Sequence, residues 1–94
     1  MADKKTTFFL GTAVKITALL NIATATSITI TIDDPSESVK VNAASMTKEA
    51  DGVYTYIYQS ASTDDDGDYV MTITTVYNNY TGVIQDSFTL LEQE

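Results

Sequence analysis

The sequence predicts an all-β protein, and three observations carry that expectation. The 94 residues include 16 threonines, 8 isoleucines, 7 valines, 6 tyrosines and 3 phenylalanines, side chains whose branching or ring suits the pleated surface of a sheet. Apolar and polar residues alternate with period two in several stretches, which places one set on each face of a strand. Turn-forming residues interrupt these stretches about every eight to twelve positions, the spacing of a sandwich or barrel. No segment keeps apolar residues at a 3.6-residue period over about ten positions, so no helix is expected.

Taken in order, Thr6 to Leu10 reads as a first strand ended by Gly11. Ala13 to Leu20 follows, with Val14, Ile16, Ala18 and Leu20 on one face and Lys15 and Thr17 on the other. Asn21 to Thr26 is a connection. Ser27 to Asp33 is the clearest strand, because Ile28, Ile30 and Ile32 alternate with Thr29 and Thr31. It stops at Asp33-Asp34-Pro35-Ser36, where proline fixes φ and cannot donate to a ladder, and aspartate bonds its own backbone ahead. Ser38 to Ala43 resumes as a short strand, with Lys40 facing out in a way that discourages edge pairing. Met46 to Ala50 fits either a short edge strand or a helical turn. Asp51-Gly52 turns the chain into Val53 to Gln59, apolar on both faces. Ser60 to Asp68 is a polar loop. Tyr69 to Tyr77 and Val83 to Leu91 form a closing hairpin joined through Asn78 to Gly82. Residues 1–5 read as an N-terminal arm and residues 6–94 as one domain of about seven antiparallel strands in two sheets.

Composition excludes much chemistry. There is no histidine or cysteine, hence no serine–histidine or cysteine–histidine nucleophile and no ordinary zinc site. A carboxylate pair acting on a glycoside needs one buried acid with a raised pKa, whereas nearly all 13 acids stand beside turn residues. The protein is expected not to be an enzyme. A net charge of −8 opposes nucleic acid, and no glycine-rich phosphate loop precedes a helix. The stretch from Phe8 to Ala25, with Ala23-Thr24-Ala25 at its end, has the outline of a signal peptide. Lys15 in its middle and its strand-like alternation argue against export by that route, and no apolar run is long enough for a membrane span.

Three groups of residues stand out as candidate sites. Asp64, Asp66 and Asp68 invite a calcium ion, the one cofactor considered, because hard cations take several carboxylate oxygens. The spacing departs from a calcium loop, however: Gly67 falls between Asp66 and Asp68, and no glutamate lies six residues beyond. A solvated turn is the simpler expectation. Tyr77, Asn78, Asn79 and Tyr80 have the composition of a recognition loop, since tyrosine gives broad contact at low entropy cost; a hairpin turn demands the same asparagines. Asn79-Tyr80-Thr81 is also a glycosylation sequon, which matters only in a secreted chain. Phe8 and Phe9 are adjacent, so one must face away from the core. Phe8, with Lys4 and Lys5 before it, is a candidate contact on a neighbouring subunit.

Seven short strands, the run Asp65-x-Gly67-x-Tyr69 and the long terminal hairpin together resemble an immunoglobulin-like sandwich over nearly the whole chain. The pattern from Ser27 to Tyr58, followed by Asp66-Gly67-Asp68-Tyr69-Val70-Met71, is similar to cysteine-free modules of this kind in prokaryotic surface proteins and in virion proteins of tailed phages and archaeal viruses. The resemblance implies that the Tyr69 hydroxyl returns to the backbone as a tyrosine corner. It also puts Met71 where the family has one core cysteine, the other falling near Ile16 or Ala18, and the family's tryptophan near Ile28 or Ile30. With no disulfide here, a small Ala18 opposite an adaptable Met71 is expected to fill the space. Two functions follow as expectations. The first is a non-enzymatic accessory subunit of a larger assembly, such as a capsid decoration or tail-associated virion protein, touching protein partners or its own copies. The alternative is a module that binds glycan or peptide at a bacterial or archaeal cell surface.

Overall fold

The computed structural model describes residues 7–92 and contains eight strands and no helix among them. These are β1 (Thr7–Phe9), β2 (Ala13–Leu19), β3 (Ser27–Asp33), β4 (Val39–Ser45), β5 (Thr47–Ala50), β6 (Val53–Gln59), β7 (Gly67–Tyr77) and β8 (Tyr80–Leu91). The expected arm, with Lys4 and Lys5, lies outside the described residues.

Two sheets form a β-sandwich-like arrangement. One has five strands in the order β1-β8-β7-β3-β4, the other three in the order β2-β6-β5. The buried residues come from both: Val14, Ile16 and Ala18 from β2 and Tyr54 and Tyr58 from β6 meet Ile28, Ile30 and Ile32 from β3, Tyr69, Met71 and Ile73 from β7, and Phe88 and Leu90 from β8. Every second residue of β2 and β3 is buried, as their alternation demands. Met71 and Ala18 both enter this core, so no covalent link is needed to fill it.

Four expectations change. The described residues form eight strands, because Thr47–Ala50 pairs with β6; all four of its residues are exposed, so its apolar content gave no signal. The pairing is not wholly antiparallel, since β1 runs parallel to β8, with Phe8 opposite Leu90. The ring that faces solvent there is Phe9, 52% exposed, while Phe8 packs against the core. The last turn is Asn78-Asn79 alone, and Tyr80, Thr81 and Gly82 belong to β8. Both asparagines have positive φ, 48° and 68°, as a two-residue turn between twisted strands requires.

One end of the sandwich is held by polar and aromatic groups. Asp34 turns back so that one oxygen accepts the Ser36 and Ser38 amides at 3.0 and 2.8 Å and the Ser36 hydroxyl at 2.8 Å; these bonds, chiefly the Ser38 amide, hold its carboxyl below the usual range. The Tyr69 hydroxyl donates to the Asp65 carbonyl at 2.6 Å. Its ring stacks on Phe88 at 5.4 Å, and Tyr58 tilts against both at 6.2 and 6.3 Å. Gly67 is required nearby, since its φ is 131° and a Cβ would come within 2.9 Å of Pro35.

An apolar groove beside the terminal hairpin

The unequal sheets determine where the surface opens. Neighbouring strands lie about 4.8 Å apart, so five strands span roughly 19 Å and three roughly 10 Å. The small sheet therefore cannot cover the large one to both edges. On β7 the inward residues are Tyr69, Met71, Ile73, Thr75 and Tyr77; register places Phe88, Asp86, Ile84, Gly82 and Tyr80 of β8 beside them. The first four of these β7 side chains are buried. On β8 only Phe88 is, among those five, while Tyr80 is 77% exposed and Ile84 44%. The core-facing stripe of β8 thus continues past the end of the core into solvent.

The result is a groove of about 470 Å³ between the end of β2 and the hairpin, with Leu19, Leu20 and Ile22 on one wall and Tyr77, Tyr80 and Ile84 on the other. Two features of its floor follow from single residues. Gly82 stands between Tyr80 and Ile84 with no side chain. Its φ lies outside the left-handed region, and a Cβ there would meet nothing within 4 Å, so neither strain nor crowding demands glycine; what it does is leave the groove open. Beside it is Thr75, paired with Gly82, 9% exposed, with a buried hydroxyl that has no partner. A buried hydroxyl without a hydrogen bond costs about 1–3 kcal/mol.

A second hollow, about 180 Å³, continues along β2 and is bordered by Phe8, Val14, Lys15, Ile16, Met71 and Asp86. Both hollows adjoin the edge of β2 that no described strand covers. The Ser60 amide donates to the Thr12 carbonyl and the Leu20 amide to the Gly52 carbonyl, and the β2–β6 register is unbroken. In an antiparallel ladder hydrogen-bonded pairs alternate, so the even-numbered residues of β2 bond β6, and Lys15, Thr17 and Leu19 direct their N–H and C=O groups outward.

The residues singled out from the sequence fall in three places. Tyr77 and Tyr80 pair directly beside the turn and line the groove, while Asn78 and Asn79 form the turn itself and are exposed. Phe8 borders the second hollow. Asp64, Asp66 and Asp68 are not brought together. The Asp64 carboxylate accepts the Ala61 amide at 2.8 Å and the Tyr58 hydroxyl at 3.2 Å and pairs with Lys40 at 3.3 Å; Asp66 is exposed; Asp68, on β7, accepts the Thr89 hydroxyl at 2.8 Å. Among the described residues no group of three or more acidic side chains is placed to hold a metal ion. The Asp64 carboxyl is also held below its usual range, first by the Ala61 amide, the opposite of what a general acid needs.

Sequence reasoning missed Leu19, Ile22, Thr75 and Ile84. Leu19 carried a faint signal, breaking the alternation of β2 by placing an apolar residue on the outward face. Thr75 looked like any other strand threonine. Among the described residues no helix is long and apolar enough to cross a membrane. No protein-family model, no curated protein and no solved structure matches this chain.

Proposed function

We propose that this chain is an immunoglobulin-like sandwich that works by contact, as a non-enzymatic accessory subunit of a larger assembly such as a virion, where it decorates a capsid or joins a tail. Two observations support the fold reading. Strands β8, β7, β3 and β4 lie in one sheet and β2, β6 and β5 in the other, the division such a sandwich makes between its G-F-C-C′ and B-E-D strands, and the Tyr69 bond to Asp65 has the form of a tyrosine corner. The observation that carries the function is the groove. Leu19, Tyr80 and Ile84 are open to solvent around an apolar cleft, in a chain whose surface is otherwise strongly acidic. Exposed apolar surface rimmed by polar residues marks contact with protein, and tyrosines are over-represented among the anchors of such contacts.

The test is a double substitution, Tyr80→Ala with Ile84→Thr, at positions that are exposed and so leave the core intact. Co-sedimentation with native particles should fall by about ten-fold or more, with an unchanged circular dichroism spectrum. Undiminished co-sedimentation of the folded variant would contradict the reading.

A second reading has one observation in its favour. Tyr77 and Tyr80, cross-strand partners at the hairpin and both exposed, offer a stacking surface for a sugar or peptide, as a ligand-binding or adhesion module of a bacterial or archaeal cell surface would. It predicts retention on a polysaccharide column that Tyr80→Ala abolishes.

A further inference from the structure

We propose that the occupant of the groove is an extended segment of a partner protein that adds to the free edge of β2 as a fourth strand of the small sheet, carrying a tyrosine over Gly82 and a lysine or arginine four residues away over Asp86. This deepens the contact reading above and rests on it.

Each part of the occupant answers an observation. The outward N–H and C=O groups of Lys15, Thr17 and Leu19 form a vacant ladder on a strand of seven residues, and a chain that pairs with them widens the small sheet by about 4.8 Å. That added strand lies over β8, whose inward stripe the present three strands leave bare. Its inward side chains, two residues apart, meet the two hollows in turn. At Gly82 the missing Cβ makes a gap between Tyr80 and Ile84, and Thr75, whose buried hydroxyl has no partner, lines the groove beside it. An apolar body with a polar tip fills such a place, and a tyrosine has both.

Four positions along the same stripe stands Asp86, a carboxylate at an inward-facing position yet exposed. One of its oxygens accepts the Ser87 amide; Lys15 borders the same hollow, yet no lysine among the described residues forms an ion pair with Asp86. Residues i and i+4 of an extended chain share a face and lie about 13 Å apart, so a strand running beside β8 matches both features. The charge of the whole chain favours the same partner: at −8, it repels a second copy and attracts a cationic segment.

The test uses labelled peptides of about ten residues, enough to cover a seven-residue strand, built of alternating threonine and valine. One carries a tyrosine and, four positions later, a lysine; a second has glutamate in place of that lysine. Fluorescence anisotropy should show the first binding and the second weakened by about ten-fold. Gly82→Leu, at an ordinary φ with open space above it, should abolish binding without loss of melting temperature. Thr17→Pro, which removes an outward N–H while the bonds to β6 remain, should do the same. Equal binding of the two peptides, or binding that survives Gly82→Leu in folded protein, would overturn the proposal. So would sedimentation showing that the chain dimerises through the groove, since a second copy would then be the occupant. Loss of particle binding in the Tyr80→Ala, Ile84→Thr variant, with neither peptide bound, would leave the contact reading standing and remove this one.

Discussion

Tyr69→Ala is expected to destabilise the protein by about 4 kcal/mol, the middle of the range for emptying a buried aromatic site. The ring is fully buried, stacks on Phe88 and tilts against Tyr58, and its hydroxyl fixes the Asp65 carbonyl at 2.6 Å. Domains of this size are stable by only about 5–15 kcal/mol, so the melting temperature should fall by roughly 20 °C. Tyr69→Phe separates the two contributions. It keeps the ring and removes only the hydrogen bond, for about 1–2 kcal/mol. Denaturant titration of the two variants measures both numbers. A loss below about 1 kcal/mol for the alanine variant would mean that the aromatic group does not clamp this end of the sandwich.

Alkaline pH should have an effect nearly as large. Burial, and then the neighbouring carboxylates led by Asp64 and Asp34, push the Tyr69 phenol up to about 12. The Tyr58 phenol is pushed higher still by burial, the Asp64 charge and its hydrogen bond to that carboxylate. A raised pKa in the folded state means that the unfolded chain releases its phenolic protons first. The stability from these groups is complete below about pH 10 and is lost as pH rises through about 12. Denaturant midpoints measured from pH 8 to 12 should be flat at first and then fall steeply. In the Tyr58→Phe, Tyr69→Phe protein the fall should be much shallower, because neither site can ionise. An identical decline in both proteins would place the alkaline sensitivity elsewhere.

These effects concern the part of the molecule that could be read from its sequence. The alternation of Ile28, Ile30 and Ile32 with threonines marked β3 as a strand with its isoleucines inward, and all three are buried; its threonine face is half-covered, in a strand that β7 and β4 flank. Pro35 and Asp34 placed the following turn, since one fixes a dihedral angle and the other closes a hydrogen-bonded loop. What the sequence hid was mostly set by neighbours distant in the chain. Thr47–Ala50 is a strand only because β6 offers it a ladder. Asn78 and Asn79 alone make the last turn, and a reading that gave the whole run to Gly82 to the loop took three strand residues from β8.

The candidate site was half legible. Tyr77 and Tyr80 drew attention by composition, but the groove they border exists because the two sheets differ in width, a property that no local pattern carries. Within the run from Asn78 to Gly82 glycine reads as an ordinary turn residue; as the third residue of β8, where the backbone does not need it, it becomes informative. The acidic run drew attention for the wrong chemistry. Asp64 is occupied with Ala61, Tyr58 and Lys40, and Asp68 with Thr89, so these carboxylates secure the loop and the start of β7.

Residue-resolved amide hydrogen exchange, recorded on the protein alone and bound to its particle, tests most directly the claim that the molecule acts by contact at the edge of β2. Alone, the amides of Lys15, Thr17 and Leu19 should exchange rapidly while those of Val14, Ile16 and Ala18 are protected by β6. In the assembly all six should be protected, together with the amides around Gly82. Protection that appears only at the Asp64 to Asp68 end, with the β2 edge still exchanging freely, would contradict the account.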